Sequence, residues 1–304
     1  MNDLTQQSLG VLVCTHAAER IDQLVAAVGS VAAQTRVPEE VLVVVDGDER
    51  LADLVRAALP EVKVLCLGHN QGVSVARTRG AEALGTDLVV FLDDDAVAEP
   101  DWLALLLGPL ADPEVLGSSG RSLADFLGPR PGWLADEFLW VVGCSYRGMP
   151  TAPARVRNFF GGCALVRRAP FLQLGGFDPE IGHHGEAVGG GEEADFCLRA
   201  TAATGCTFAF VPAAVIHHRV PVARLTWGYF LTRCYGEGRM KVRMARRQRA
   251  LGGASSALGP ETAFARRMPL AVLAALRRGR PQRAAGLLLG CVAVACGLVR
   301  GSRG

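Results

Sequence analysis

Leu88-Val89-Val90-Phe91-Leu92-Asp93-Asp94-Asp95 places five consecutive apolar residues directly before three carboxylates. A short apolar run with β-branched and aromatic members predicts a strand buried on both faces. It is the fourth of a series. Val11 to Cys14, Val41 to Val45 and Val62 to Leu67 read as strands of the same kind. Helical periodicity fills the intervals: Ile21 to Ala33, with Ile21, Leu24, Val25 and Val28 on one face, then Leu51 to Leu59 and Val73 to Leu84. Strands and helices alternating through short loops predict an α/β fold, a mostly parallel sheet with helices on both faces. Ligands of such sheets bind beyond the carboxyl ends of the strands. Asp46 and Asp93 stand at two such ends, so each is a candidate site residue.

Three adjacent carboxylates repel one another unless a cation or a set of hydroxyls compensates them. Strand alternation puts Asp93 and Asp95 on one side and Asp94 on the other. Two hard oxygen ligands facing a crevice suit Mg²⁺ or Mn²⁺, whose coordination a nucleoside diphosphate would complete. The competing reading is an acidic turn that caps the helix beginning near Asp101 and Trp102. A second acidic group, Glu192-Glu193-Ala194-Asp195, opens a helix running to Thr204. There it is either a set of favourable charges at the helix N-terminus or the source of a general base.

The chain has 304 residues, half of them hydrophobic, which allows one large domain or two modest ones. Its net charge of +2 conceals an asymmetry. Residues 233–303 hold 15 Lys and Arg against 2 Asp and Glu, a balance of +13, and the preceding 232 residues carry −11. Nucleic acid, anionic lipid or phosphate-bearing substrates could each account for a basic tail after an acidic body, as could a solvated basic helix; no nucleic-acid partner is expected. The tail ends in 16 uncharged residues, Ala284 to Val299. That is short of the roughly 20 needed to cross a bilayer, and its glycines weaken an isolated helix. Peripheral or re-entrant contact with a membrane is therefore the expectation, with a buried helix and then a true span as the alternatives. Nine separate cysteines form no CxxC pair, which argues against a zinc or dithiol site and suits a reducing compartment. Residues 1–10 are polar and give no secretory signal, so a cytoplasmic protein, at most lying on the inner face of the cell membrane, is expected.

The strings Val11-Leu12-Val13-Cys14-Thr15-His16, Glu40 to Gly47, Asn70 to Gly80 and Phe91 to Ala96 stand in an order that resembles family 2 glycosyltransferases. Gly161-Gly162 to Arg168 and Glu192 to Arg199 continue the resemblance, and Trp227 to Lys241 is similar to the C-terminal helix of actinobacterial-type members. The resemblance implies the GT-A fold over residues 9–220, with a nucleotide-sugar-binding half at 9–120, an acceptor half at 121–220 and a helical tail at 221–304. It implies that Thr15, Asp46, Arg77, Asp93 and Asp94 bind the nucleotide-sugar, Asp46 at a uracil base and Arg77 at the diphosphate, the alternative for Arg77 being a salt bridge to the acidic triplet. It further implies that Asp95 holds a divalent metal, Mn²⁺ or Mg²⁺, with His217 or His218 as a further ligand. Glu193, or Asp195 in its place, becomes the base of an inverting transfer to a glycan or lipid-linked acceptor. His183-His184-Gly185-Glu186 becomes a loop over the donor. A sugar-phosphate nucleotidyltransferase would instead carry a glycine-rich loop after the first strand, where Thr15-His16-Ala17-Ala18 stands. A non-catalytic carbohydrate-binding scaffold of the same fold is the other alternative.

Overall fold

A computed structural model describes residues 7–181, 190–250 and 259–302. The first four strands are β1 (Leu9–Thr15), β2 (Glu40–Val45), β3 (Lys63–Cys66) and β4 (Leu88–Asp93). They run parallel, as the alternation with helices requires. Between them lie α1 (Ile21–Ala32), α2 (Glu49–Ala58) and α3 (Val73–Ala83). Successive residues of each strand feed two separate cores. Val11, Val13, Val43, Val45, Val90 and Leu92 pack with α1 and α2 on one face. Leu12, Val44, Val89 and Phe91 pack with Ala76 and Ala81 of α3 on the other. Burial on both faces explains why these strands are continuous apolar runs.

Beyond β4 the sheet becomes mixed. The chain adds β5 (Ala96–Ala98), α4 (Trp102–Leu107), β6 (Val115–Phe126), β7 (Ala154–Val156), β8 (Cys163–Arg167), α5 (Arg168–Gln173), α6 (Glu192–Thr204) and β9 (Thr207–Val220). The strand order is β3-β2-β1-β4-β8-β6-β9-β5, with β7 on β9. β8 is antiparallel to both β4 and β6. Two strands are long: β6 has 12 residues and continues to Phe126, and β9 has 14 and runs to Val220. Pro212 lies inside β9, and a proline marks a strand end in a local reading. β5 is only three residues long and carries no periodic signal.

The chain forms two compact units, residues 1–123 with 150–218, and residues 124–149 with 219–304. The division is discontinuous in sequence, with 124–149 grouped with the tail. In this second unit are α7 (Trp227–Ala250), α8 (Gly259–Arg277) and α9 (Pro281–Ser302). Leu287 of α9, Phe230 of α7 and Phe138 share its core. The glycines of α9 mark close packing. A Cβ on Gly297 would collide with the backbone carbonyl of Tyr235, and one on Gly286 with that of Trp133. Their intrinsic helical cost of roughly 1 kcal/mol each is offset by this approach, so the apolar run lengthens into a 22-residue helix.

Candidate active site

The acidic triplet does not cap α4. β5 intervenes, and the residue preceding the helix, Asp101, makes no side-chain capping bond. β4 ends at Asp93, a turn takes Asp94 and Asp95, and β5 begins at Ala96. β5 pairs antiparallel with β9, setting Ala96 opposite His218 and Val97 opposite His217. Alternation along β9 then separates the two histidines. His218 is buried and its Nε2 lies 3.2 Å from Asp95 Oδ1. His217 is exposed and turns to Glu99, 3.0 Å away. Asp93, Asp95 and His218 offer ligand atoms within 4.8 Å of one another. Two carboxylates at that separation repel by about 3–4 kcal/mol at an effective dielectric near 20.

Two arginines supply part of the compensation. Arg20, in the turn after β1, lies 2.6 Å from Asp94 and 3.3 Å from Asp95. Burial works against its charge, but Asp94 and Asp95 outweigh it and hold the guanidinium pKa above its ordinary value. Asp94 is buried, which raises its pKa; Arg20 and the Thr15 hydroxyl oppose that shift. Arg77 projects from α3 and is 6% exposed. It reaches Asp93 at 2.8 Å, Glu193 at 3.3 Å and Glu192 at 3.5 Å. Burial lowers its pKa, and Asp93, Glu193 and Glu192 together overcome that and raise it. Arg77 is turned to three carboxylates inside the fold. Among the described residues, Arg20 and Arg77 therefore meet five carboxylates, three of them the triplet. Two carboxylates and an imidazole nitrogen form a donor set that suits Mn²⁺, with Mg²⁺ favouring oxygen alone.

Glu193 and Asp195 share the first turn of α6 and have different surroundings. Glu193 Oε1 accepts from the Gly161 N–H at 3.1 Å as well as from Arg77. Asp195 is 2% exposed and bound by Arg199 at 2.8 Å. Arg199 in turn donates to the carbonyls of Leu174 and Gly176, so Asp195 braces the turn that follows α5. Asp46, at the end of β2, accepts from the N–H groups of Gln71 (2.6 Å) and Gly72 (2.9 Å), and its own N–H bonds to the Thr15 carbonyl. It ties three strand and helix ends into one rim. Gly72, at φ +92°, adopts the left-handed region that this turn needs. Beside this rim, burial pushes the Cys14 thiol up to about 12, partly opposed by Arg77, so it stays neutral. His183 to Glu186 lie outside the described residues.

Gly161 and Gly162 let the backbone approach the acidic groups closely. A Cβ on Gly162 would collide with the Asp93 carboxylate, and one on Gly161 with Glu193 and Arg77. Gly162→Ala is therefore expected to displace Asp93 and weaken Mn²⁺ binding about tenfold or more, measured by titration. Unchanged affinity would show that Asp93 is not held by this contact. Arg20 and Glu192 escaped assignment from sequence, because each acts through residues distant in the chain.

Residues 11–175 match the family described as Glycosyl transferase family 2. Glucosyl-dolichyl phosphate glucuronosyltransferase of Haloferax volcanii is 34% identical over 238 residues, covering 77% of this chain and 76% of that protein. Succinoglycan biosynthesis protein ExoM of Rhizobium meliloti is 27% identical over 242 residues, covering 76% and 73%. Among solved structures, mannosyltransferase PcManGT from Pyrobaculum calidifontis, in complex with GDP-Man and Mn²⁺, superposes with a TM-score of 0.62 at 17% identity over 98% of this chain and 88% of its own. GalNAc-T7 with UDP, GalNAc and Mn²⁺ gives 0.55 at 16% identity over 86% of this chain; the match spans 54% of that protein. At such identities these structures attest to the fold alone.

Proposed function

This chain belongs to glycosyl transferase family 2, has the GT-A fold and is a hexosyltransferase-type enzyme using nucleotide-sugar donors; from that premise we propose a metal-dependent, inverting transfer from a UDP-sugar to an acceptor hydroxyl. The observation that carries the reading is the convergence of Asp93, Asp95 and His218 at the end of the parallel strands. Asp95 and His218 would hold the cation beside Asp93, which also meets the ribose; when bound, the ion supplies Lewis-acid stabilisation of charge on the departing nucleoside diphosphate. Glu193 removes the proton of the acceptor hydroxyl as that oxygen attacks the anomeric carbon. Its Oε1 is anchored by Arg77 and Gly161, which leaves Oε2 to receive the proton. Arg77 positions Asp93 and Glu193 relative to each other. Arg20 orients Asp94 and Asp95.

Thr15 and Asp46 form the nucleoside end. Each Asp46 oxygen already accepts one backbone N–H and keeps a further lone pair for the imide N–H of uracil. The names of two relatives, a dolichyl phosphate glucuronosyltransferase and a succinoglycan biosynthesis protein, support a lipid-linked glycan acceptor in envelope synthesis. The test is a panel of nucleotide-sugars with and without Mn²⁺. UDP-sugars are expected to raise the melting temperature by about 5 °C at a hundredfold excess over Kd and to be slowly hydrolysed. Chelation should abolish both effects. Preference for a GDP-sugar overturns the uridine assignment, and full turnover in chelator overturns the metal.

A further inference from the structure

We infer that the helical unit formed by 124–149 and 219–304 docks on an anionic lipid surface through exposed apolar stripes of α8 and α9. Leu270, Leu273 and Leu276 lie at helical spacing along α8, and Leu270 is 70% exposed. Leu288 and Val292 form a similar stripe on α9, with Val292 56% exposed. The two helices pack on one another within the same unit. Charge decides what covers these stripes. Arg266 and Arg267 precede the α8 stripe, and Arg277, Arg278 and Arg280 follow it, all exposed. The tail's two carboxylates, Glu237 and Glu261, both go to Lys241, at 2.8 and 2.9 Å. Among the described residues, no ion pair takes up those five arginines. Apolar side chains bracketed by unneutralised arginines complement anionic headgroups above an acyl layer. A second copy of the chain would bring the same positive charge against itself.

The contact is with the surface and does not span the bilayer. α9 is long and apolar enough to cross a membrane by length and composition. However, its buried side, including Gly290 and Gly297, packs on α7, which carries seven basic residues. Crossing would drag those charges into hydrocarbon or strip α9 from its core.

Vesicle co-sedimentation of the full chain tests this, and it reads binding without reference to sugar transfer, so it fails or succeeds apart from the proposed reaction. Binding to vesicles containing phosphatidylglycerol should exceed binding to phosphatidylcholine vesicles by at least about tenfold, since each basic residue near the surface contributes about fivefold. High salt should reverse it. The triple variant Leu270→Gln, Leu273→Gln, Leu276→Gln should bind at least about tenfold less, with its melting temperature and donor hydrolysis unchanged. Arg277→Gln, Arg278→Gln, Arg280→Gln should lose the preference for anionic lipid, and serves equally if the leucine variant fails to fold. The inference is overturned if the wild type stays in the supernatant, if both variants bind as wild type does, if the leucines instead hold a dimer in solution, or if only detergent extracts the protein from membranes.

Discussion

Asp95→Asn is expected to lower sugar transfer by at least about a thousandfold, the loss of roughly 4 kcal/mol of transition-state charge stabilisation. Asparagine preserves size and a hydrogen-bonding oxygen, so Arg20 at 3.3 Å and His218 at 3.2 Å keep a neighbour. What disappears is one negative charge from a run of adjacent carboxylates. Mn²⁺ affinity and transfer should therefore fall together, while the melting temperature of the metal-free protein stays the same or rises as repulsion is relieved. His218→Gln should follow the same direction. His217→Gln should leave transfer within about twofold, because His217 faces Glu99 on the other side of β9. An Asp95→Asn enzyme that still transfers sugar in a Mn²⁺-dependent manner would end the assignment.

Glu193→Gln is expected to reduce kcat by about 10²- to 10⁴-fold, the usual contribution of a positioned base. The geometry makes this substitution unusually informative. Both anchoring bonds of Glu193 end on Oε1, and the glutamine oxygen can take them over. The amide nitrogen then replaces Oε2, so the proton acceptor is lost and the scaffold is retained. Donor affinity should change by less than about threefold. Asp195→Asn should give the opposite pattern. Breaking a buried ion pair with Arg199 costs about 3–5 kcal/mol of stability, and the amide still offers an oxygen that recovers part of it. Its melting temperature should fall, with kcat per folded molecule affected far less. If Asp195→Asn stops turnover in folded protein and Glu193→Gln does not, the base is Asp195.

Why the two acidic residues differ is itself a matter of helix geometry. Two positions apart on α6 they lie on different faces, and α6 is set so that Glu193 meets Gly161 while Asp195 turns to Arg199 one turn on. The charge pattern of the segment is the same in either case, which is why the sequence left both open. Arg77 shows the same limit. The sequence offers a phosphate or the acidic triplet as partners of Arg77; α3 sets it against Asp93, and also against Glu192 and Glu193. The two glutamates, more than a hundred positions away, were not legible.

The three β-α repeats, the fourth strand with the acidic triplet at its end, and the acidic start of α6 were determined by sequence alone. Their signals are periodic and local: strands buried on both faces must be apolar throughout, and helices must alternate. The separation of His218, beside Asp95, from His217, beside Glu99, and the different partners of Glu193 and Asp195, needed tertiary structure. So did the contacts of Arg20 and Arg77 and the approach of Gly162 to Asp93. β5 has three residues, too few for a pattern, yet its register against β9 sets Ala96 opposite His218. That pairing joins residues more than a hundred positions apart, and only the folded sheet brings the imidazole beside the carboxylates.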